Sequence, residues 1–295
     1  MEIRAEVREV VRAECTLGEG PCWDAGRQLL WFTDIKRHRL WCHDPATGEA
    51  TMAEAPGQIG WALPAEDGRL LCGLKDGLHF FEPSERSFAR LGPIPGEPPG
   101  NRSNDACTDQ QGRVWMGTMD DGESAPTGRY YRFERGAVTP AGPADIPITN
   151  GPAISPDGAT IYFTHTLGQK IFCAFLRDDG AVGEVRLFAD TAQDLPDAHP
   201  DGPVVDSEGH VWSAFYGGGY ILRYAPDGRL AGRVVMPTSN ITKLAFGGAD
   251  LRTAYVTTAR GGLSEEQVAE QPLAGSLLAF EAPVAGFAQK LVKLA

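Results

Sequence analysis

The sequence lacks the features that would place the protein in a membrane or outside the cell. No apolar run reaches the roughly 18 residues that a membrane-spanning helix needs. Residues 1–15 carry charges throughout and contain no apolar core, so they do not resemble a secretory signal. The six cysteines form no CxxC pair and no zinc-finger spacing, which is typical of reduced, mostly buried thiols. We therefore expect a cytoplasmic protein without disulfides.

Basic residues are also scarce. Lys and Arg together number 27 against 39 Asp and Glu, the net charge is −12, and the sequence contains no basic stripe. A nucleic acid or an anionic membrane needs such a stripe to hold its phosphates, so neither is expected as a partner. The expected assembly is a monomer or a weak homo-oligomer.

Two motifs of common enzyme classes are missing. The GxSxG nucleophile elbow does not occur, and neither does the alternation of strands and helices that would present it. The glycines at 217–219 lie between predicted strands and are not followed by a helix, so they do not form a phosphate-binding loop. A Ser/His/Asp hydrolase is therefore disfavoured.

Residues 194–236 contain a unit of four short strands. Apolar or alternating runs are separated there by Gly, Pro and Asp, which predicts an antiparallel meander. The turn between its first two runs, DSEGHVW from Asp206, occurs six times in related forms, 41 to 51 residues apart. This period is typical of a β-propeller. We predict an all-β, six-bladed β-propeller with four antiparallel strands per blade, a single domain over residues 1–295, in preference to a sandwich or barrel.

The two ends of the chain are expected to close the ring. Residues 3–14 are rich in β-branched side chains and precede the first complete blade. Pairing a terminal strand with the last blade hides an exposed sheet edge. We expect residues 3–14 to pair with strands at 276–280 and 287–294. The longest predicted helix covers residues 263–270 and opens at Ser264.

Six residues lie five positions before the repeated turns, where the innermost strand of each blade should begin. Because they share one phase of the repeat, they are expected to surround one mouth of the central channel. They supply two carboxylates, two carboxamides and a hydroxyl: Glu19, Gly60, Asn104, Asn150, Asp201 and Thr242.

The acids and amides of this ring suit a metal ion. Like charges in a partly dry site are costly unless a cation neutralises them. Oxygen ligands favour Ca²⁺, Mg²⁺ or Mn²⁺ without excluding Zn²⁺ or Fe²⁺. We predict that Glu19, Asn150 and Asp201 bind one divalent metal ion, although each acid taken alone could instead cap a turn.

Two further side chains are candidates for the pocket. Trp61, beside the small ring residue Gly60, is predicted to form an apolar wall against the ligand. His165 ends a strand and either lines the pocket or is a hydrogen-bonded neighbour of it. His199 and Lys243 are similarly ambiguous.

Five ordered motifs extend over nearly the whole chain. They are LGEGPCWD (17–24), NRSNDACTDQQGRVWMGTM (101–119), TNGPAISPDGATIYFTHT (149–166), PDGPVVDSEGHVWSAFYGGG (200–219) and NITKLAFGGADLRTAYVTTAR (240–260). These motifs resemble the gluconolactonase and regucalcin (senescence marker protein) family. Residues 261–275 are more similar to its bacterial sugar lactonases than to its animal members. The resemblance implies a six-bladed propeller that holds one divalent metal ion and hydrolyses sugar lactones.

The resemblance also implies roles for individual residues. The metal ligands are Glu19, Asn150 and Asp201, and the NRSND motif supplies Arg102 and Asn104 for substrate contact. Animal members contact the substrate with a glutamate shortly after the GTM motif. The aligned position here is Gly122, so its neighbour Asp121 becomes a substrate-binding candidate, with Glu123 on the other side.

The expected reaction is the metal-assisted hydrolysis of a small-molecule sugar lactone, pentonic or hexonic, to its acid. Asp201 is the candidate base, and Asp105, Asp121 and Asp197 are alternatives to it. Two other functions fit the same scaffold, because a fold does not determine a substrate. One is a calcium-dependent phosphotriesterase, and the other is a non-catalytic propeller that binds a metal or a ligand.

Overall fold

The structure is a computed structural model and describes residues 1–294. These residues form six four-stranded antiparallel sheets arranged as a six-bladed β-propeller, which confirms the predicted fold. Each innermost strand packs against the innermost strands of both neighbouring blades, and this closes the ring. Within residues 1–294 no helix is long and apolar enough to cross a membrane.

The strands are numbered along the chain from β1 (Arg8–Val11), and within blades 1 to 5 they run from the channel outward. Blade 1 contains β2 (Gly18–Asp24), β3 (Leu29–Asp34), β4 (Arg39–His43) and β5 (Ala50–Glu54). Blade 2 contains β6 (Ile59–Pro64), β7 (Leu70–Leu74), β8 (Gly77–Glu82) and β9 (Ser87–Gly92). Blade 3 contains β10 (Asn101–Thr108), β11 (Val114–Asp120), β12 (Gly128–Glu134) and β13 (Ala137–Ile146).

The second half of the ring repeats this order. Blade 4 contains β14 (Thr149–Ile154), β15 (Thr160–His165), β16 (Lys170–Phe175) and β17 (Arg186–Asp190), and a single 3₁₀ turn (Thr191–Gln193) follows it. Blade 5 contains β18 (His199–Val205), β19 (Val211–Tyr216), β20 (Tyr220–Tyr224) and β21 (Leu230–Val235). Blade 6 contains β22 (Ile241–Gly247), β23 (Thr253–Thr258) and β24 (Leu277–Glu281), with β1 outermost.

Helix α1 (Glu265–Glu270) lies within the predicted segment. The Ser264 side chain accepts a hydrogen bond from the backbone N–H of Gln267, and the Gln267 side chain accepts one from the backbone N–H of Ser264. This reciprocal capping satisfies two N–H groups that the first helical turn would otherwise leave free.

In blades 3 and 5 the repeated turn is held by a buried aspartate at its first position, Asp109 or Asp206. Asp206 Oδ1 accepts hydrogen bonds from the backbone N–H groups of Glu208 and His210, both at 3.0 Å. Its second oxygen accepts one from the Trp212 indole N–H at 2.8 Å. Blade 3 has the same arrangement, with the Trp115 indole donating to Asp109 at 2.9 Å. In these two blades one side chain satisfies both the turn and the strand that follows, whereas blades 2, 4 and 6 have Ala65, Ser155 and Gly247 at this position.

Each innermost strand carries a β-bulge beside its ring residue. The pairing register with the second strand shifts next to Glu19, Asn104, Asn150 and Asp201, and equivalent shifts occur in β6 and β22. A bulge re-aims side chains and ends regular pairing. The ring residues therefore face the channel at the end where the innermost strands begin, which we call the open end.

Of the two strand pairings that were predicted to close the ring, one is confirmed. Strand β1 pairs antiparallel with β24, as expected for residues 3–14 and 276–280. The prediction for residues 287–294 was wrong, because they do not pair with β1 but cross the opposite end of the channel. Val292 N–H donates to Pro64 O at 2.8 Å, and Lys293 N–H donates to Gly112 O at 2.9 Å. We call residues 283–294 the closing segment and this end of the channel the closed end.

Candidate functional site

A pocket of about 740 Å³ lies at the open end of the channel. Its lining includes Glu19, Arg102, Asn104, Asn150 and Asp201, which come from the innermost strands of four blades. This volume lies within the usual range for small-molecule sites. The structure thus brings together the metal-ligand candidates and two of the substrate-contact candidates.

The two remaining ring residues have packing roles. Thr242 Oγ1 donates to Gly18 O at 2.6 Å, which joins the innermost strands of blades 6 and 1. Gly60 has no room for a side chain, because a Cβ there would lie 2.6 Å from Ser103 O. Neither residue lines the pocket.

Glu19 and Asp201 are both buried, and each uses one oxygen for its own backbone. Gly20 N–H donates to Glu19 Oε2 at 2.9 Å, and Gly202 N–H donates to Asp201 Oδ1 at 2.8 Å. Within residues 1–294 the other carboxylate oxygens, Glu19 Oε1 and Asp201 Oδ2, receive no hydrogen bond from the protein. Each is therefore a free acceptor beside the pocket.

Burial and mutual repulsion disfavour the charged forms of these acids. Burial raises the pKa of Glu19 to about 8, and the negative charge of Asp105 contributes to the rise. Burial also raises the pKa of Asp201 well above its usual range, and the charge of Glu19 adds to this. Such a pair is stable in its ionised form only with a nearby cation.

The amide of Asn150 is oriented by a chain of hydrogen bonds. Asn104 Nδ2 donates to Asn150 Oδ1 at 2.9 Å, and Asn150 Nδ2 donates to Thr166 Oγ1 at 2.9 Å. Arg102 Nη1 in turn donates to Asn104 Oδ1 at 2.6 Å. These hydrogen bonds fix the Asn150 amide so that its NH₂ group faces Thr166 and its oxygen faces Asn104.

This donor set fits a hard divalent cation. In the part of the chain that the structure describes, no three His, Cys, Asp or Glu side chains form a cluster that could hold a metal. An ion would therefore need the Asn150 amide oxygen beside the carboxylates of Glu19 and Asp201, with water completing its coordination. Carboxylates, amide oxygens and water are ligands that Ca²⁺ and Mg²⁺ accept.

Asp105 and Lys243 form a buried ion pair close to the two pocket acids. Lys243 Nζ contacts Asp105 Oδ1, and Gly151 N–H donates to Asp105 Oδ2 at 2.9 Å. Both side chains are at most 5% exposed. Both carboxylate oxygens of Asp105 thus have protein partners, which argues against Asp105 as the general base.

Asp121 lies behind the pocket wall rather than on it. Its carboxylate accepts hydrogen bonds from Lys36 and Lys75, both at 2.8 Å. Although partial burial opposes the effect, these lysines hold the pKa of Asp121 well below its usual range. Arg102 Nε lies 3.3 Å from the same carboxylate. Asp121 therefore positions basic side chains of the wall and does not itself face the ligand space.

The assignments of Trp61 and His165 to the pocket need correction. Trp61 is 1% exposed and belongs to a hydrophobic cluster between blades 2 and 3. The bulge beside Gly60 turns it away from the channel. His165 does not line the pocket either, because it bonds within its own turn, where Nδ1 accepts the Gly168 N–H at 2.9 Å.

Several lining residues were not predicted. Glu123, in the left-handed backbone region at φ 59°, lines the pocket one position beyond the aligned Gly122. Its adjacency to that position was the available signal. Lys36 and Tyr216 also line the pocket. Lys36 follows β3, outside the quoted motifs, whereas Tyr216 ends β19 inside the motif at 200–219 but was not singled out there. His199, which was ambiguous in the sequence, lies on the pocket wall.

The chain is similar over nearly its whole length to known proteins. The SMP-30/Gluconolactonase/LRE-like region matches residues 17–260. The 6-deoxy-6-sulfogluconolactonase of Pseudomonas putida is 33% identical, covering 96% of this chain and 97% of that protein. The L-arabinolactonase of Azospirillum brasilense is 35% identical, with coverages of 92% and 91%.

A solved structure agrees with these sequence relatives. A calcium-binding protein, regucalcin from Agrobacterium tumefaciens, superposes with a TM-score of 0.94 at 30% identity, covering 98% of both chains. This structural match spans all six blades and extends beyond residues 17–260, which the family model matches. The chain therefore belongs to the SMP-30/gluconolactonase/LRE-like family.

Proposed function

We propose that this protein is a metal-dependent sugar lactonase, a carboxylic-ester hydrolase that opens an aldonolactone to the sugar acid. The observation that carries the proposal is the pair of buried acids, Glu19 and Asp201, whose free oxygens lie beside Asn150 in the pocket. Relatives that are named as lactonases of six-carbon and five-carbon sugars support the same reaction.

Glu19, Asn150 and Asp201 would hold the metal ion. When bound, a divalent cation supplies a Lewis acid that polarises the lactone carbonyl. The remaining requirements of the reaction are a proton acceptor for water, a proton donor for the ring oxygen and a surface that orients the sugar.

Asp201 is the proposed proton carrier. Its Oδ2 is free of protein hydrogen bonds and borders the pocket, so it can accept a proton from a bound water. Asp201 takes a proton from water as the water oxygen bonds to the carbonyl carbon. The bond between that carbon and the ring oxygen then breaks, and Asp201 returns the proton to the ring oxygen. One water is consumed, and a hydroxy acid is released.

The sugar is oriented by polar and apolar parts of the pocket. Arg102 is 3% exposed and lines the pocket beside Asn104, so its remaining N–H groups can donate to hydroxyl or carbonyl oxygens. Glu123 can accept hydrogen bonds from sugar hydroxyls. Met119, Ile148 and Leu167 provide apolar contact for the ring carbons.

A metal-replacement assay tests the proposal. Chelator-treated protein is incubated with pentono- and hexonolactones, and acid release is followed before and after adding Ca²⁺, Mg²⁺, Mn²⁺, Zn²⁺ or Fe²⁺. We expect ring opening above the uncatalysed rate only with metal. A phosphotriester is assayed in parallel. Absence of metal-dependent opening across the whole lactone panel would defeat the proposal.

The site assignment needs its own controls. Asp201→Ala should abolish metal-dependent lactone opening. Asp197→Ala, which removes an exposed carboxylate four residues earlier in the loop before β18, should retain it. Full activity in Asp201→Ala would show that the reaction occurs elsewhere.

A further inference from the structure

One wall of the pocket concentrates positive charge. Lys36, between β3 and β4, and Arg102, on β10, line this wall. Lys36 Nζ lies 2.8 Å and Arg102 Nε 3.3 Å from the same oxygen of Asp121. Lys75, between β7 and β8, donates to the other oxygen of Asp121 at 2.8 Å. Three cations from three successive blades thus share one carboxylate.

The acids of this wall do not balance its cations. Asp121 and Glu123 stand against Lys36, Lys75 and Arg102 in this cluster, in which Lys36, Arg102 and Glu123 line the pocket and Lys75 and Asp121 lie behind the lining. The other two lining acids, Glu19 and Asp201, belong to the proposed metal site. This cluster therefore has an excess of positive charge, although the net charge of the chain is −12. The lining residues from blades 4 and 5 include no lysine or arginine, and their single acid is Asp201.

The cations have unused hydrogen-bond donors. Within residues 1–294 Lys36 and Lys75 each donate one hydrogen bond, to Asp121, although an ammonium group has three N–H donors. Arg102 is 3% exposed, and its Nε has no hydrogen-bond partner among the described residues. Because Lys36 lines the pocket and uses one of its three donors, an anionic ligand oxygen could accept a charge-assisted hydrogen bond from it.

We propose that this wall binds an anionic group at the end of the sugar remote from the lactone carbonyl. The preferred substrates are then lactones of sugar acids with a carboxylate, phosphate or sulfonate on the terminal carbon. Glu19 and Asp201 would repel such a group from the reacting end, whereas Lys36 and Lys75 attract it at the mouth. The inference rests on the proposed lactonase function and specifies its substrate class.

The test compares hexonolactones that differ only at C6, where they carry a hydroxyl, a carboxylate, a phosphate or a sulfonate. The measured quantity is the ratio of kcat/KM for each anionic lactone to that for the neutral one, after subtracting the uncatalysed rate. We expect a ratio above one in the unmodified protein. Lys36→Met and Lys75→Met should each lower it about tenfold, the effect of losing a hydrogen bond to a charged group.

Lys170→Met is the matched control. It removes the same charge from an exposed lysine at the start of β16, outside the pocket. The ratio should stay unchanged in this variant, and it should fall with added salt in the unmodified protein. Comparison of the three anions shows whether charge alone or the shape of the group is recognised.

Two outcomes overturn the inference. The first is equal or better turnover of the neutral lactone by the unmodified protein, and the second is an unchanged ratio in both Lys36→Met and Lys75→Met. If no lactone is opened at all, the lactonase proposal fails instead. Calorimetric titration with the corresponding open-chain acids then decides the binding question, because the C6-anionic acid should bind more tightly than the neutral one and lose that advantage in Lys75→Met.

Discussion

The two ends of the central channel are built from the same six strands but differ in chemistry. At the open end, acids and amides surround a pocket of about 740 Å³. At the closed end, the closing segment packs over a cavity of about 40 Å³ whose lining includes Trp23, Phe246 and Phe287. The free carboxylate oxygens of Glu19 and Asp201 are thus at the open end, where a ligand can reach them.

Strand β18 shows the difference within a single element. Asp201, near its start, has one free carboxylate oxygen and a pKa raised by burial. Asp206, just after its end, is also buried, but its carboxylate accepts hydrogen bonds from two backbone N–H groups, Trp212 and Arg223. The same residue type therefore serves binding at the open end and stability at the closed end.

The largest expected effect comes from the open end. Asp201→Asn should lower kcat/KM for lactone opening by about a thousandfold, because it changes the proposed metal ligand and proton carrier. The free energy of unfolding of the metal-free protein should stay the same or rise, since one of two repelling buried acids is gone. Lactone assays and urea denaturation measure the two effects. If Asp201→Asn lost activity only because it lost stability, the assignment of Asp201 to binding rather than to stability would be wrong.

Asp206→Ala should have the opposite profile. It leaves the Trp212 indole, the Arg223 guanidinium and two backbone N–H groups without their acceptor, which should lower the free energy of unfolding by about 3 kcal/mol. The folded fraction should keep its kcat/KM within about twofold, a change of less than ~0.5 kcal/mol. Urea denaturation with and without metal checks this. A stable but inactive Asp206→Ala variant would contradict the assignment of Asp206 to stability.

A substitution in the closing segment should have a smaller effect on the free energy of unfolding. Val292 is fully buried in a hydrophobic cluster with Leu71 and Val114, so Val292→Ala should destabilise the fold by about 2 kcal/mol without affecting the site. Leu291→Ala is the control, because Leu291 is 48% exposed and its loss should change stability by less than ~0.5 kcal/mol. Equal effects of the two substitutions would show that the segment does not seal the channel.

The difference in the pH dependence of stability between the unmodified protein and Glu19→Gln should report on the open end. Burial raises the pKa of Glu19 from 4.5 to about 8, so between these values the folded chain holds a proton that the unfolded chain has lost. In chelator-treated protein the free energy of unfolding from this group is therefore highest below pH 4.5 and falls as the pH rises towards 8. Added Ca²⁺ should reduce the fall, because it favours the ionised carboxylate. Thermal unfolding across this range measures the fall, and Glu19→Gln should reduce it without abolishing it, because burial also raises the pKa of Asp201.

Much of this comparison was accessible from the sequence. The repeated turn predicted six blades because each copy marks the same point of a four-stranded unit. The residues five positions earlier then had to share one end of the channel, so Glu19, Asn150 and Asp201 could be grouped although they are far apart along the chain. Trp61 was misplaced because a bulge shifts the strand register by one residue and reverses the face that a side chain occupies.

Other features depend on contacts between blades and have no local signal. Lys36 and Asp121 are 85 positions apart, and Lys75 and Asp121 are 46 apart, so nothing in their neighbourhoods indicates that they meet. The path of the closing segment is equally non-local, since its partners lie in blades 2, 3, 5 and 6.

The sequence by itself determined the number of blades, the phase of the ring residues and the chemical character of the open end, because a repeat places equivalent positions at equivalent points around an axis. Only the tertiary structure decided which of these side chains keep a free oxygen, which are consumed in ion pairs such as Asp105 with Lys243, and which basic residues form the charged wall. These outcomes depend on distances of a few ångströms between separate blades, and no local pattern of residues encodes them.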